Sequence, residues 1–231
     1  MSGETISIQG LDGTFSGYLA RPYSDEGPGI VVIQEIFGVN EVMRHVADWL
    51  AAEGFFALVP DLFWRIEPGI DITDKTEAEW KKAFDLFGKF DVDKGTVDIA
   101  TTIETLRPLT TNGKVGAIGY CLGGQLAYLT ACHTTSDATV GYYGVNIQNR
   151  LLDSETIAKP LMLHVAGKDE FVPPAAQAEI IDGLRDNRLV TIYQYPEQNH
   201  AFARKGGQHY DEHAAHEANG RSLEFLRKYL A

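Results

Sequence analysis

The sequence predicts an α/β fold with a mostly parallel central sheet and helices on both of its faces. Short apolar runs of strand length alternate with longer amphipathic segments along the chain, which is the pattern of βαβ units. The chain contains no internal repeat, no low-complexity tract and no Pro/Ser-rich linker. We therefore expect residues 1–231 to form a single domain, because this length suits one large α/β domain.

The first half of the chain predicts a hairpin, two buried strands and three helices. Residues 6–8 and 15–19 flank a turn that contains Asp12 and Gly13, so they are expected to pair as a hairpin. The apolar runs at 29–34 and 55–59 predict strands, and Pro60 closes the second of them. Helical spacing covers residues 42–53, which stop at Gly54, and then residues 73–90 and 92–106.

The second half repeats the alternation around a glycine-rich motif. A strand predicted at 115–118 leads into GYCLGG at residues 119–124, and an amphipathic helix is expected from there to about residue 131. Further strands are predicted at 138–143, 161–165 and 190–195, with helices at 175–184 and 212–229.

Net charge argues against nucleic acid and membrane surfaces as partners. The chain carries 32 acidic and 20 basic residues, a formal charge of −12, and no run of more than two basic residues. Phosphate backbones and anionic lipids both require clustered Lys and Arg. We expect a small-molecule partner, and a monomer or weak homo-oligomer.

The N-terminal residues and the two cysteines indicate a cytoplasmic location. MSGETI lacks the basic start and apolar core of a signal peptide, and no apolar stretch approaches the ~20 residues of a membrane span. If Cys121 and Cys132 lie on one helix, their separation is roughly 16 Å, which is too long for a disulfide. Free thiols suit a reducing compartment.

Residues 119–123, GYCLG, have the G-x-C-x-G form of a nucleophile elbow, with Cys121 where serine is usual. The nucleophile of an elbow sits on a tight strand-to-helix turn, and glycines flank it because larger side chains would clash. The adjoining helix N-terminus favours a thiolate. The alternative is a buried free cysteine. Cys132, which has no glycine frame, is expected to be a packed thiol of that kind.

Asp169 is the predicted acid of a triad that runs nucleophile, acid, histidine along the chain. It follows a predicted strand and precedes Pro173-Pro174, and catalytic groups gather at the carboxyl ends of strands in open α/β sheets. A simple turn aspartate is the alternative interpretation, and the neighbouring Glu170 is the rival carboxylate.

His200 is the predicted base, because it alone among seven histidines lies on a loop after a strand in the required chain order. The other six fall near the last helix, in or after other helices, or within a strand: His45, His133, His164, His209, His213 and His216. The spacing His209-x3-His213 has no clear third ligand. We expect no metal and no cofactor.

Two backbone amides are predicted to form an oxyanion hole. One is the N–H of Leu122, the residue after the nucleophile, and the other is the N–H of Ile36, in the loop after an early strand. Glu35 ends the apolar run 30–33, where a carboxylate is costly to bury without a partner. Glu35 is expected near the thiol, where it would compete with His200 for the proton; the alternative is that it points to solvent.

Six separated motifs resemble the dienelactone hydrolase (carboxymethylenebutenolidase) family. In the family's order, they are QEIFGVN at 34–40, PDLFWR at 60–65 with Pro68-Gly69, GYCLGG at 119–124, GYYG at 141–144, GKD at 167–169 with FVP at 171–173, and NHAFAR at 199–204. The resemblance covers nearly the whole chain. It implies an α/β-hydrolase fold and a Cys121–His200–Asp169 triad.

The resemblance also implies how the thiol is protected and which residues bind substrate. Glu35 would hold the thiol proton until substrate displaces it, so that Cys121 rests as a neutral thiol. Members of this type act on cyclic enol-lactones that bear a carboxylate and arise in the breakdown of aromatics. Arg204 matches a position that binds this carboxylate, as a guanidinium fork can; a surface arginine is the alternative. Tyr142 falls on a pocket position.

One departure from the family pattern concerns a second arginine for the substrate carboxylate. It would fall near Trp80, which is followed by Lys81. A lysine ammonium can supply charge there but not the planar fork of a guanidinium.

The leading hypothesis from all of these motifs is an ester or enol-lactone hydrolase with a thioester intermediate. A broader esterase acting on neutral esters and a catalytically silent binding protein of the same fold are the alternatives.

Overall fold

A computed structural model describes residues 3–231, so the first two residues of the predicted domain lie outside it. The chain divides into two compact units, one ending at Gly116 and the other running from Ala117 to Ala231. Each unit combines strands with helices, and the two are described in turn.

The first unit contains four strands in the order β1-β2-β4-β3. These are β1 (Glu4–Gln9), β2 (Thr14–Ala20), β3 (Gly29–Ile33) and β4 (Phe56–Pro60). Strands β1 and β2 form the predicted antiparallel hairpin, while β3 and β4 are parallel. Every residue of β3 and β4 is buried, as their continuous apolar sequences predict.

Three helices follow or connect these strands: α1 (Glu41–Ala52), α2 (Glu77–Lys89) and α3 (Val92–Leu106). The helix predicted at 73–90 begins four residues late. The Thr76 hydroxyl oxygen accepts from the Glu79 N–H at 3.2 Å, and the Glu79 carboxylate accepts from the Thr73 N–H at 2.9 Å. This variant of a capping box holds residues 73–75 outside the helix.

The second unit contains β5 (Val115–Tyr120), whose first two residues belong to the first unit, and then β6 (Thr139–Tyr142), β7 (Leu161–Ala166) and β8 (Val190–Tyr195). These strands are adjacent in chain order and all parallel. The carboxyl ends of β5, β7 and β8 therefore lie at one edge of the sheet. The loops that leave this edge carry Cys121, Asp169 and His200.

The helices of this unit are α4 (Leu122–His133), α5 (Pro174–Leu184) and α6 (Glu212–Leu230). The expectation that α4 is amphipathic is wrong, because all of its residues except His133 are buried. A 3-10 segment that was not predicted, Ile147–Thr156, packs against α4 and helps to bury it. Tyr128 donates to the Arg150 carbonyl at 2.9 Å, and Thr156 donates to the Cys132 carbonyl at 2.7 Å.

The predicted α/β class with mostly parallel strands is confirmed. None of the helices within residues 3–231 combines the length and apolar character that crossing a bilayer requires.

Candidate active site

Cys121 lies between β5 and α4 in a backbone conformation that side chains rarely adopt. Its φ of 58° and ψ of −115° are those of a strained turn. The Cys121 N–H donates to the Tyr142 carbonyl at 3.1 Å, which ties the turn to the neighbouring strand β6. The side chain is almost buried, with 8% of the residue exposed. The Leu122 N–H opens α4, so it has no partner within the helix.

Gly124 allows the first turn of α4 to approach the backbone after β6. A Cβ at Gly124 would overlap the Tyr142 carbonyl oxygen and lie 2.7 Å from the Gly144 Cα. A Cβ at Gly144 would in turn lie 2.7 Å from the Gly124 carbonyl carbon. The last glycine of GYCLGG and the glycine that ends GYYG are therefore matched contact points, which the sequence alone did not reveal.

Asp169 occupies the loop after β7 and is 4% exposed. Its Oδ1 accepts the backbone N–H groups of Phe171 and Val172 at 2.8 and 3.2 Å. These bonds orient the carboxylate and leave Oδ2 for another donor. Glu170, the rival carboxylate, is exposed.

The imidazole of His200 is buried and points its Nδ1 at Asp169 Oδ2, 2.8 Å away. Burial by itself lowers the pKa of His200, but the negative charges of Cys121 and Asp169 outweigh it and raise that pKa to about 10. The buried Nε2 makes no well-formed hydrogen bond within the described chain. The Cys121 sulfur is nevertheless close enough to raise the pKa of the ring. Loose contacts of this kind are usual in active sites without substrate.

Two aromatic rings hold the imidazole edge to face. The Tyr143 ring centroid lies 5.0 Å from that of His200, and the Phe171 centroid lies 4.8 Å from it. Tyr143 has a positive φ of 37°, and Ala201, next to His200, has a φ of 61°. Sequence reasoning missed both rings. The available signal was that Tyr143 lies within the motif GYYG and Phe171 begins the motif FVP.

The loops that carry Asp169 and His200 are joined by backbone hydrogen bonds. The Gly167 N–H donates to the Tyr195 carbonyl and the Lys168 N–H to the Gln198 carbonyl, both at 2.8 Å. A Cβ at Gly167 would lie 2.6 Å from the Pro196 Cα, so glycine permits this approach. The His–Asp distance is thus determined by the loops as well as by the two side chains.

In the first unit, the loop after β3 contains three buried residues in succession, Gln34, Glu35 and Ile36. Glu35 is 1% exposed, so it does not point to solvent. The Gln34 side chain bonds to two different loops: Oε1 accepts from the Leu62 N–H, after β4, at 3.0 Å, and Nε2 donates to the Glu35 carbonyl, after β3, at 3.3 Å.

The residues predicted to bind substrate occupy different environments. Trp80 is half-buried, stacks on Phe84 at 5.5 Å between ring centroids, and donates through Nε1 to the Asp74 carbonyl at 2.9 Å. Lys81 is exposed. Arg204 is 7% exposed, which rules out the alternative of a surface arginine.

Tyr142 is fully buried, and its hydroxyl bonds to Ser222 at 2.6 Å and to Asn219 at 3.0 Å. His164 belongs to the same group of side chains, with its Nε2 3.0 Å from the Ser222 hydroxyl. Burial and then the charge of Arg221 lower the pKa of His164 to about 3, so this histidine is neutral at ordinary pH. Its role is that of a packed polar residue.

Of the remaining histidines and the second cysteine, only His209 is described in contact with a candidate site residue within residues 3–231. His45, His133, His213 and His216 are exposed, and His209 contacts the His200 carbonyl at 3.3 Å. Cys121 and Cys132 are both free, and burial raises the pKa of the Cys132 thiol to about 11. Within residues 3–231, no group of three His, Cys, Asp or Glu side chains has a geometry that could hold a metal ion.

The fold and the strained strand-to-helix turn define the protein as an α/β hydrolase. The sequence profile of the dienelactone hydrolase family matches residues 15–230. The chain belongs to this family and is a hydrolase of it.

Individual relatives agree with this assignment. The carboxymethylenebutenolidase of Pseudomonas putida is 40% identical over 98% of this chain and 97% of its own. A relative from Azospirillum brasilense, named provisionally as a carboxymethylenebutenolidase, is 44% identical over 97% of this chain and 98% of its own. A crystal structure from Klebsiella pneumoniae, described provisionally as a dienelactone hydrolase, has a TM-score of 0.86 at 25% identity, covering 98% of both chains.

Proposed function

We propose that this protein hydrolyses an enol-lactone or related carboxylic ester through a thioester on Cys121. The observation that carries the proposal is the contact between this cysteine, held on a strained turn, and a buried imidazole whose Nδ1 lies 2.8 Å from Asp169. The family assignment and the names of the relatives support the substrate class.

Once substrate is bound, His200 takes the thiol proton of Cys121, which gives a thiolate–imidazolium pair. The charges and hydrogen bonds of Cys121 and Asp169 raise the pKa of His200, so the protonated ring is stable in this position. The thiolate attacks the carbonyl carbon, the new C–S bond forms, and the carbonyl π electrons move to oxygen. When this intermediate collapses, the C–O bond breaks and His200 gives its proton to the leaving oxygen.

Water then completes the cycle. The neutral His200 removes a proton from water, the hydroxide attacks the thioester carbon, and collapse of the second intermediate releases the acid and the thiolate. Asp169 keeps the ring in the tautomer with a proton on Nδ1, which leaves Nε2 to exchange protons. The Leu122 N–H at the start of α4, and the Ile36 N–H as the predicted second donor, stabilise the oxyanion in both steps.

Other features of the proposal derive from the family resemblance. Glu35 holds the thiol proton of Cys121 in the resting enzyme until substrate displaces it, a role that its burial allows and in which it competes with His200 for that proton. Arg204, together with Lys81 near Trp80, binds a substrate carboxylate.

The chain forms one catalytic domain over residues 1–231, as the length of the family match supports. A cytoplasmic location and a monomer or weak homo-oligomer remain predictions.

Replacing Cys121 with Ala is expected to abolish turnover of dienelactone and of p-nitrophenyl acetate, because no other group on the elbow can form the acyl intermediate. Steady-state kinetics measure the loss, and mass spectrometry of acid-quenched wild-type enzyme should detect an acyl adduct on the peptide that contains Cys121. Cys132→Ala is the matched control, since this buried thiol has a pKa of about 11 and should leave turnover intact. Activity retained in Cys121→Ala would overturn the proposal.

Replacing Arg204 with Met is expected to lower kcat/KM for the anionic dienelactone by about 10- to 100-fold, which is the usual value of a charge-assisted hydrogen bond. Neutral p-nitrophenyl acetate should change by less than about 3-fold, because it has no carboxylate to bind. Arg185→Met is the control, since this arginine is exposed and pairs with Asp182. Equal losses on both substrates would exclude the carboxylate role and favour the broader esterase.

A further inference from the structure

Gln34 is a completely buried side chain that links the loops after β3 and β4. The Leu62 N–H can only donate, so it identifies the atom facing it at 3.0 Å as the amide oxygen of Gln34. The amide nitrogen therefore faces the other way, toward the Glu35 carbonyl oxygen at 3.3 Å. Both ends of this amide are thus used, and its orientation is determined by its partners.

The contact with the Glu35 carbonyl also determines the direction of the next N–H. The peptide bond between Glu35 and Ile36 is planar and trans, so its C=O and N–H point to opposite sides. Because Gln34 holds the carbonyl on its own side, the Ile36 N–H must point away from Gln34. Reversal of this peptide would break the contact and leave the buried Nε2 without an acceptor, which is costly.

We propose that Gln34 is a positioning residue that keeps the Ile36 N–H directed at the oxyanion during catalysis. The inference rests on the proposed function, in which Ile36 supplies the second oxyanion donor. Donors that are oriented before the reaction need no reorganisation in the transition state, which is the source of their large effect. Gln34 would act through the backbone and would not touch the substrate.

The contact with Leu62 gives the amide a fixed support. Leu62 follows β4 directly after Asp61, whose carboxylate accepts the Phe63 N–H at 3.1 Å and the Gly69 N–H at 2.7 Å. The loop after β4 is thus held by Asp61 and is also hydrogen-bonded to Gln34. The Asp61 hydrogen bonds named above stay within the loop after β4, whereas the Gln34 side chain also reaches the Glu35 carbonyl, so substitutions of the two residues can be distinguished by experiment.

The test is Gln34→Met, which keeps the length of the side chain and removes both hydrogen bonds. We expect kcat for p-nitrophenyl acetate to fall by about 10- to 100-fold, somewhat less than the loss of a whole oxyanion donor, with little change in KM. The corresponding thionoester should lose much less, because its sulfur is a poor hydrogen-bond acceptor and gains little from the oxyanion hole. The ratio of the two rates should therefore decrease.

Asp61→Asn is the matched control, because it weakens the same loop without touching the Glu35 carbonyl. Its ester-to-thionoester ratio should equal that of the wild type. If Asp61→Asn lowers the ratio as much as Gln34→Met does, Gln34 acts by supporting the loop and the inference is wrong. Thermal unfolding of both variants identifies losses of activity that arise only because the variant is less stable.

Gln34→Glu provides a second, conservative variant. When protonated, its carboxylic acid can accept from Leu62 and donate to the Glu35 carbonyl; when ionised, it repels that carbonyl. Activity relative to wild type should therefore rise as pH falls, with a titration that Gln34→Met lacks. A relative activity that is independent of pH would contradict the inference. Failure of these tests while Cys121→Ala remains inactive would overturn the role of Gln34 and leave the proposed function intact.

Discussion

Replacing Asp169 with Asn lowers kcat by an expected 10⁴-fold or so, which is the typical loss when the acid of such a triad becomes an amide. The size of Asn is almost the same, so the loop bonds to Phe171 and Val172 can survive through its oxygen. The amide nitrogen then faces His200 Nδ1, which must become an acceptor. The ring proton moves to Nε2, and His200 can no longer act as a base toward the thiol or water.

The same substitution should lower the pKa of His200, because the hydrogen bond and charge of Asp169 are among the interactions that raise it to about 10. Titration of the His200 ring by NMR measures this change. Glu170→Gln is the control: this adjacent carboxylate is exposed, and its replacement should alter kcat by less than about 2-fold. An Asp169→Asn variant with near-normal kcat would remove Asp169 from the mechanism.

Replacing Gly124 with Ala is expected to cost about 3 kcal/mol of unfolding free energy, the upper end of the usual cost of overpacking, and to remove most activity. The added methyl group would overlap the Tyr142 carbonyl and lie 2.7 Å from the Gly144 Cα, and these are backbone atoms that no rotamer change can move. Relief requires α4 to shift away from β6. That shift would displace the Leu122 N–H and the Cys121 turn together.

Denaturant unfolding and steady-state kinetics measure the two effects of Gly124→Ala. Gly220→Ala is the matched control, because an added Cβ at this exposed position in α6 has no neighbour within 4 Å. There the substitution should stabilise the protein by about 0.5–1 kcal/mol, the ordinary preference of a helix for alanine. Similar stability of both variants would show that the close backbone approach is unimportant.

Local patterns were sufficient for much of the fold. Strands β3 and β4 were predictable because a short continuous apolar run is typical of a strand buried on both faces, and β1 and β2 because turn residues separate two short runs. The late start of α2 was also predictable in principle: Thr76 and Glu79 have the spacing of a capping box, which the hydrophobic periodicity at 73–90 concealed. The burial of α4 on all sides was not predictable. It depends on a 3-10 segment, Ile147–Thr156, that lies further along the chain.

For the candidate site, chain order and the glycine frame predicted Cys121, His200 and Asp169, because an elbow must stand between a strand and a helix and its partners must follow strands. The sequence alone could not choose between adjacent carboxylates on physical grounds. Tertiary structure distinguishes them: two backbone N–H groups orient Asp169, whereas Glu170 is exposed.

What the sequence by itself determined about this protein was the order of its elements and the chemical groups at the ends of its strands. Only the tertiary structure decided which groups meet, as when Tyr143 and Phe171 enclose the His200 ring. The physical reason is the distance along the chain over which each kind of interaction acts. Periodicity and turn chemistry act over a few neighbouring residues, whereas a contact such as that of Gly124 with Gly144 depends on how whole strands and helices pack.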